Sequence, residues 1–433
     1  MIPFGDLEHL LRRTEFVARP SRVSELASLT LEQAVDDILD VSRNPSDSTD
    51  PDTITDNQGR RTIRPDVLVN WWLDRMAGVP RPFAERLTFF WHSRFTSSLE
   101  KVAAPFLLLA QNRTYRRLAL GSYRELLKAM SIEPAMLVYL DNARNVRSAP
   151  NQNFARELME LFTLGVGNYT EADVAGMSRA WTGHTVNRTT GAYVFDTASH
   201  DSGSKTVFGV SRAWDGPDLL DHILDDPTLR VIASRHLVRS MWESFAHPGA
   251  PADVVNPLAE GFVASGYDIR ALVRSMLLRP EFYSATAKTG LVRPPVDFVV
   301  ALLEASGLSA TVVNPLYQLS GMGQIPFNPP NVSGWRPNAA WINATAWSAR
   351  LSLAGSVAQQ MQASGRFGGF GSLSPTGVAD RTSEIARVHL TGRSRAVIEG
   401  IVTNERRIAA AGSTFETASA IAATFHSPEF HLS

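Results

Sequence analysis

Apolar residues recur at helical spacing along most of the chain, and clusters of glycine, proline and asparagine interrupt them. Alternating apolar and polar positions, which would indicate strands, occur only in short stretches. The pattern predicts a mainly α fold: a large multi-helix domain with long ordered loops and at most a small β-hairpin. We expect that hairpin around Tyr193 to Phe195, inside an otherwise irregular segment from Thr185 to Gly209.

Two predicted helices have clear start signals. Asp226 before Pro227 is typical of an N-cap with proline in the first turn, and predicts a helix over 226–247. Thr170 with Asp173 resembles a capping box and predicts a helix over 170–183. Both helices lie next to the irregular segment in the sequence.

Composition divides the chain into five segments. They are an N-terminal helical segment (1–43), a polar flexible loop (44–62), a helical core (63–362), a linker rich in Gly and Ser (363–379) and a C-terminal helical segment that packs on the core (380–433). A proline-rich stretch over 321–341 carries Phe327, Trp335 and Trp341. Large aromatic side chains among rigid prolines usually pack a loop onto the protein body, so we expect this stretch to be ordered.

The charge balance and the absence of cysteine narrow the chemistry. The 433 residues include 42 Lys and Arg against 43 Asp and Glu, so charge alone favours neither nucleic acid nor an anionic membrane as a partner. With 0 cysteines the chain has no disulfide, thiolate metal site or cysteine nucleophile. No unbroken run of about 18 apolar residues occurs, which predicts no membrane span. The N-terminus MIPFGDLEHLLRRTEF lacks the basic start and apolar run of an export signal, which predicts a cytoplasmic protein.

A predicted helix over 153–165 carries two acidic residues. Its apolar side chains form one stripe, and Glu157 borders that stripe. Glu160 is three residues further on, so the two carboxylates are neighbours that repel each other unless a cation or a proton lies between them. The pair is either a metal or acid/base site, or part of a structural ion pair with arginine.

A predicted helix over 82–97 contains His92 and Arg94. Arg94 falls on the apolar stripe of this helix, where a buried guanidinium requires a carboxylate partner. His92 projects from nearly the opposite side, next to Phe89. It is either a hydrogen-bonding histidine of a second buried face or a site residue.

His236 lies in the helix predicted over 226–247, on a face that is only partly apolar. Its neighbours on that face are Ile232, Arg239 and Glu243. Such a face suits the wall of a cleft, where a nearby carboxylate would raise the pKa of the histidine and keep it available as an acid, a base or a ligand.

The segment SHDSGSKTVFG is a loop rich in reactive side chains, with His200, Asp201 and Lys205 close to one glycine. The adjacent histidine and aspartate either supply ligands or an oriented base, or form an Asx-type turn. The segment is not a P-loop, because Ser199 and Ser204 stand where that motif has glycine. The H-E-x-x-H, G-x-S-x-G and G-x-G-x-x-G motifs do not occur, so nothing supports a zincin, an α/β-hydrolase or a dinucleotide fold.

Seven segments, in chain order, resemble the bacterial domain-of-unknown-function 1800 family. They are FFWHSRF, NFARELMELFTLGVGNYTEADV, SRAWTGHT, HDSGSKTVFG, RHLVRSMW, MLLRPEFY and GQIPFNPPNVSGW. The resemblance spans nearly the whole chain, and the family is defined without an activity. Many members resemble exported proteins and are accompanied by a partner from another uncharacterised family, which implies a protein partner for this chain.

The shared motifs contain the residues that we expect to form a site. The predicted catalytic residues are Glu157, Glu160, His200, Asp201 and Lys205, and the predicted ligands of a divalent metal ion are Glu157, Glu160, His92, His200 and His236. The chain departs from the usual family pattern at Arg94 and Phe162, where relatives often carry histidine. A metal site built on those two histidines would be lost here.

Two functions are compatible with these residues. The first is a hydrolase-like enzyme, in which carboxylates and imidazoles gather in a cleft and bind a divalent ion or act as acid and base. The ion would be magnesium, calcium, manganese or iron, with zinc also compatible. The second is a non-catalytic scaffold or partner-binding protein, whose charged residues form a buried structural network with Arg94 or Arg156 between the two carboxylates.

Overall fold

The structure is a computed structural model that describes residues 2–44, 50–57, 59, 61–187, 189–335, 338–365, 370–408 and 415–432. The protein is 65% helical, and the described ranges contain 23 α-helices. The helices are α1 (Phe4–Glu15), α2 (Pro20–Leu26), α3 (Leu31–Leu39), α4 (Pro65–Gly78), α5 (Phe83–Arg94), α6 (Leu99–Val102), α7 (Pro105–Leu118), α8 (Tyr123–Ser131), α9 (Pro134–Tyr139), α10 (Gln152–Glu157), α11 (Glu171–Ala180), α12 (Gly216–Asp225), α13 (Leu229–Phe245), α14 (Ala252–Ala264), α15 (Ile269–Leu277), α16 (Ala285–Thr289), α17 (Pro295–Ser306), α18 (Ala310–Val313), α19 (Leu316–Met322), α20 (Ala344–Ala363), α21 (Pro375–Ala386), α22 (Gly392–Ile408) and α23 (Phe415–Phe425).

The described strands form three antiparallel hairpins. They are β1 (Ile54–Thr55) with β2 (Arg61–Thr62), β3 (His184–Val186) with β4 (Tyr193–Phe195), and β5 (Lys205–Val207) with β6 (Val210–Arg212). The prediction of a mainly α protein with minor β structure is confirmed. The expected hairpin around Tyr193 is β3–β4, and its partner strand starts at His184.

The helix start predicted at Thr170 is confirmed, whereas the helix predicted from Asp226 begins at Leu229, with Thr228 as its N-cap. Asp226 accepts hydrogen bonds from the backbone N–H groups of Thr228 and Leu229, both at 2.9 Å, and α13 follows. Thr170 and Asp173 form the expected capping box of α11. That helix ends at Ala180, three residues before the predicted end.

The helix predicted over 153–165 changes its winding in the middle. It is α-helical up to Glu157 and then π-helical over Leu158–Thr163. The Thr163 hydroxyl donates to the Leu158 carbonyl at 2.8 Å, five residues back, which supports the wider turn. The chain leaves this turn at Gly165, whose φ is +82°. Carbonyl groups at the end of a π turn need partners from other elements.

One large hydrophobic core joins most of the helices, and a small second core lies among the C-terminal helices. The second core consists of Phe370, Val378, Ala379, Ile398, Val402 and Ala420. The C-terminal segment also reaches the large core through Ile421, Phe425 and Phe430. No helix in the described ranges combines the length and the apolarity needed to cross a bilayer.

The proline-rich stretch packs onto the body as expected. Phe327, Trp335 and Trp341 are all buried in the large core, while residues 336–337 lie outside the described residues. Part of each predicted flexible segment, 45–49 with 58 and 60, and 366–369, also lies outside them. Within the predicted linker, α21 already starts at Pro375.

Candidate functional site

A cavity of about 470 Å³ lies between α5, α13 and the proline-rich stretch. Its size falls in the range of small-molecule sites. Apolar and aromatic side chains form much of the wall: Phe89, Phe90, Leu161, Phe245, Pro248, Leu291, Val292, Pro294, Val332, Trp335 and Trp341. Charged and polar side chains interrupt this surface: Arg86, Ser93, Arg94, His236, Arg239, Ser240, Glu243, Ser244, Asp297, Gln324, Ser333 and Asn338.

Helix α5 gives the cavity a wall with a charge at each end. Arg86 and Arg94 are eight residues apart, which corresponds to about 12 Å along a helix axis. Phe89 and Phe90 lie between them on the same wall. The wall is therefore apolar in its middle and cationic at both ends.

Helix α13 lines the opposite side through His236, Arg239 and Glu243, the face that we expected to form a cleft wall. The His236 Nε2 atom lies 3.1 Å from the Leu161 carbonyl oxygen, which can only accept a hydrogen bond, so Nε2 carries the proton. Burial, and then the charge of Arg94, lowers the pKa of His236 to about 4. The imidazole is therefore neutral near pH 7.

The carbonyl groups at the end of the π turn are held by these wall residues. His236 donates to the Leu161 carbonyl, and Arg94 donates to the Phe162 carbonyl at 3.3 Å. The Tyr123 hydroxyl donates to the same Phe162 carbonyl at 2.9 Å. Single π turns occur frequently at functional sites. Arg94 and Phe162, the two positions at which we expect the chain to depart from the family pattern, are thus in direct contact.

Arg94 lacks the carboxylate partner that we expected. Among the described residues its contacts are with neutral groups, the Phe162 carbonyl and the Tyr123 hydroxyl. Its Nε atom is buried and has no hydrogen-bond partner there. Two further residues of the cavity wall carry buried polar atoms without partners, Trp335 at Nε1 and Asp297 at Oδ1. Buried polar atoms in this state are uncommon, and a ligand is one reason for them.

At the other end of α5, Arg86 is paired. Its Nη1 atom donates a short hydrogen bond to Oδ2 of Asp297, and both side chains are buried. The guanidinium of Arg86 also lies over the Phe245 ring, 5.8 Å from its centroid. This end of the cavity is closed by an ion pair, whereas the Arg94 end offers an uncompensated cation.

Glu157 and Glu160 lie at the start of the π turn, close to the cavity wall in sequence. Glu157 has no hydrogen bond or ion pair with a described residue, and burial followed by repulsion from Glu160 raises its pKa. Glu160 accepts a short hydrogen bond from the Tyr169 hydroxyl. Arg156 pairs with Glu171 at 2.7 and 2.8 Å instead of lying between the two carboxylates. The arginine bridge expected of a structural network is therefore not present among the described ion pairs.

His92 is enclosed and hydrogen-bonded. It is 2% exposed, and its Nε2 atom accepts the backbone N–H of Phe327 at 3.0 Å. The rings of Trp72, Tyr115 and Trp335 surround it at centroid distances of 5.4 to 6.3 Å. Of the two alternatives, this geometry fits the hydrogen-bonding histidine of a second buried face, which fastens the proline-rich stretch to α5.

His200, Asp201 and Lys205 lie together next to the β5–β6 hairpin. His200 Nδ1 lies 2.8 Å from the Thr182 carbonyl oxygen, and Asp201 binds Arg179 at 2.7 Å. Asp201 also accepts a hydrogen bond from the Gly203 N–H at 2.9 Å. This bond forms an Asx-type turn, which is one of the two alternatives for the segment.

The ammonium group of Lys205 is used for structure. Its side chain is buried, and Nζ donates to the backbone carbonyls of Asp201 and Trp214. Burial lowers the pKa of this lysine. None of the three loop residues lines the cavity.

The described residues contain no group of three or more histidine, aspartate or glutamate side chains that could hold a metal ion. The five predicted metal ligands therefore do not assemble into such a group in this part of the chain. Their individual roles, like those of the predicted catalytic residues, stay predictions.

Several wall residues were missed from the sequence. Trp335 and Trp341 were expected only to pack, and Arg86 and Asp297 were not considered. Asp297 gave a weak signal as a single acidic residue within the apolar run VDFVVALL. Such a residue has to be paired when buried, but its partner is 211 positions away in the sequence.

Comparison with known proteins places the chain in a family. A family model described as "Protein of unknown function (DUF1800)" matches residues 9–432, nearly the whole chain. The searches of curated proteins and of solved structures returned no significant match. The chain therefore belongs to the DUF1800 family of proteins of unknown function.

Proposed function

We propose that this protein binds a small organic acid with an apolar body in the cavity between α5, α13 and the proline-rich stretch. The observation that carries the proposal is Arg94, a cation on the cavity wall without a carboxylate partner among the described residues. Arginine stays protonated in proteins, and its planar donors match a carboxylate. A ligand carboxylate would supply the missing counter-charge, and the aromatic wall would cover its apolar body.

Two more features support an acceptor group at this site. Trp335 lines the same cavity, and its indole N–H is buried without a partner. His236 is neutral and is oriented through its Nε2–H by the Leu161 carbonyl. Three atoms of the cavity wall lack partners among the described residues, and two of them, Nε of Arg94 and Nε1 of Trp335, are donors, which favours a ligand that accepts hydrogen bonds.

Binding can be tested by isothermal titration of the full chain with octanoate and with octanamide, its neutral counterpart. We expect octanoate to bind and octanamide to bind at least 10-fold more weakly, because a charged hydrogen bond contributes about 1.5–3 kcal/mol. The Arg94→Gln variant should lose this preference. Equal binding of the two compounds, or an unchanged preference in Arg94→Gln, would contradict the proposal.

Arg235→Gln is the matched control. Arg235 lies on α13, is exposed and does not line the cavity. Its replacement removes the same charge from the protein without touching the wall. The octanoate affinity of Arg235→Gln should equal that of the unmodified chain, which separates a local contact from a general effect of net charge.

A second, catalytic proposal rests on Glu157. Its raised pKa arises from burial and from the neighbouring Glu160, as is typical of carboxyl groups that act as general acids. Glu157 also lies four residues before Leu161, which lines the cavity. We therefore propose the pair as the acid and base of a hydrolytic reaction on the bound ligand, while the catalytic roles predicted for His200, Asp201 and Lys205, which do not line the cavity, stay predictions.

A hydrolase screen with ester and amide derivatives of the bound acid tests this second proposal. Turnover that is lost in Glu157→Gln while octanoate still binds would support it. Turnover that persists in Glu157→Gln would overturn it. The divalent ion and the protein partner expected from the family resemblance stay predictions, and the first is checked by elemental analysis of the purified protein.

A further inference from the structure

At the Arg86 end of the cavity, four buried arginines share a single carboxylate among the described residues. These residues are Arg13 of α1, Arg86 of α5, Arg293 just before α17, Arg350 of α20, and Asp297 of α17, all of them between 0% and 7% exposed. Arg86 is hydrogen-bonded to Asp297. The Asp297 charge also acts on Arg13, Arg293 and Arg350. We call this set the arginine cluster.

The hydrogen bonds of the arginine cluster are incomplete. Arg13 donates through Nη2 to the Ala287 carbonyl, but its Nε and Nη1 atoms are buried without partners among the described residues. The Nε and Nη1 atoms of Arg293 are in the same state, and so is Oδ1 of Asp297. Four buried donor atoms on two cations thus lack an acceptor.

The charges of the cluster are also unbalanced. Among the described residues, four guanidinium groups, which stay protonated in proteins, share one carboxylate, which leaves an excess of three positive charges. His431, which lies 3.3 Å from Arg350, supplies no negative charge. Mutual repulsion adds to burial in lowering the pKa of Arg13 and of Arg293 to about 9 each. Buried charge of one sign is costly unless an opposite charge accompanies it.

Aromatic rings restrict where a counter-charge can lie. Arg86 lies over Phe16 at 5.0 Å, Arg293 over Phe430 at 4.8 Å, and Arg350 over Phe298 at 5.0 Å. These rings cover guanidinium faces, so the N–H groups in the guanidinium planes remain for an anion. In-plane donors from several arginines suit a compact anion that accepts hydrogen bonds from different directions.

We propose that the arginine cluster binds one compact inorganic anion, a halide or an oxyanion, between the unpaired donors of Arg13 and Arg293. The anion would compensate the excess charge and tie α1 to α17 and α20. Arg13 and Arg293, which would hold the anion, do not line the cavity proposed for the organic acid, so either proposal can fail without the other.

Thermal unfolding of the full chain at constant ionic strength tests the proposal. Sodium gluconate, whose anion is bulky, is replaced stepwise by chloride in one series and by phosphate in another. At a concentration 100-fold above Kd, the binding anion should raise the unfolding midpoint by about 3 °C. The series that shows the shift identifies a halide or an oxyanion. Equal midpoints in all three salts would overturn the proposal.

Variants and bromide locate the effect. Arg13→Met should lose the anion-dependent shift, whereas Arg274→Met on α15 should keep it, because Arg274 is partly exposed, is paired with Asp36 and is not a member of the cluster. An equal shift in both variants would place the anion elsewhere and overturn the proposal. If Arg13→Met does not fold, crystals of the unmodified chain can be used instead. Crystals soaked in bromide test for a halide site, and crystals grown with phosphate test for an oxyanion site. Density at Arg13 and Arg293 supports the proposal, and its absence in both crystals overturns it.

Discussion

Glu157 is a partly buried carboxylate that is repelled by a second carboxylate, Glu160. Because its pKa is raised, Glu157 binds a proton more tightly in the folded chain than in the unfolded chain. Protonated Glu157 therefore stabilises the folded chain at low pH, and this stabilisation is lost as the pH rises through the folded pKa. Glutamine is neutral at every pH. Glu157→Gln should therefore be as stable as the unmodified chain at pH 4 and slightly more stable at pH 8, by up to about 0.5 kcal/mol after solvent screening.

Urea unfolding at the two pH values measures this difference, and Glu171→Gln is its control. Arg156 holds the pKa of Glu171 below its ordinary value, so that replacement should have the opposite sign at pH 8. A marked loss of stability in Glu157→Gln at pH 8 would mean that Glu157 has a cationic partner after all.

Lys205 provides a second prediction on a single side chain. Its buried ammonium group holds two backbone carbonyls, of Asp201 and Trp214. Lys205→Met would leave both without this donor and should lower the free energy of unfolding by about 1–3 kcal/mol. Lys128→Met, which breaks the half-exposed pair with Asp221, should cost less than about 1 kcal/mol. Equal losses in the two variants would contradict the structural role of Lys205.

Individual side chains show what can be predicted from sequence and what cannot. Arg94 could be placed on a buried stripe from helical periodicity alone. Its partners could not be foreseen, because they are a carbonyl of a π turn and a tyrosine hydroxyl from α8. Because these partners are distant in sequence, the prediction for Arg94 named a carboxylate, whereas the guanidinium binds two neutral groups.

Among the elements, the π turn over Leu158–Thr163 decides how the cavity wall is built. Gly165 ends it with a φ of +82°, and a Cβ atom there would lie 3.1 Å from His236 Nδ1. Gly167 has a φ of +81°, but a Cβ atom there would have nothing within 4 Å. The two glycines therefore share the backbone requirement and differ in the contact with His236.

Replacement of each glycine by alanine separates these two effects. Gly167→Ala should cost about 1–2 kcal/mol, the penalty of a left-handed conformation for a residue with a Cβ atom. Gly165→Ala should cost more, because His236 would also have to shift away from the Leu161 carbonyl. Chemical unfolding gives both values. Equal losses would show that His236 is free to move.

The same element shows a limit of hydrophobic periodicity. Apolar residues at 154, 158 and 162 indicated a helix over this segment, and the helix exists. Periodicity does not reveal the change from α to π winding, because both place residues four apart on nearly the same face. The wider turn depends on the Thr163 hydroxyl and on donors from α5, α8 and α13, which are distant in sequence.

At the scale of the whole molecule, the predicted mainly α fold follows from local patterns, whereas the sites follow from contacts between distant segments. The arginine cluster draws residues from positions 13, 86, 293 and 350. No local pattern connects these positions, and each arginine by itself is unremarkable in a chain that contains few lysines. Only the packing of α1, α5, α17 and α20 brings them together.

Buried histidines make the stability of the whole molecule dependent on pH. Burial lowers the pKa of His236 to about 4, that of His9 and of His92 to about 3, and that of His431 to about 2, against 6.5 in the unfolded chain. The unfolded chain therefore takes up protons below pH 6.5 that the folded chain does not bind. Each histidine should cost about 1 kcal/mol of stability between pH 6.5 and 5.5.

One buried carboxyl group opposes this effect. Burial raises the pKa of Glu133 to about 7, so its contribution is fully present below pH 4.5 and is lost as the pH rises through 7. The stability that Glu133 adds offsets the loss caused by about one histidine. The free energy of unfolding should therefore fall by about 3 kcal/mol in total between pH 7 and pH 5.5. Urea unfolding at these two pH values measures it. The glutamine of His9→Gln cannot take up a proton, so this variant should lose less stability by the amount that one histidine contributes. A free energy of unfolding that stays constant over this range would mean that these imidazoles are protonated in the folded chain.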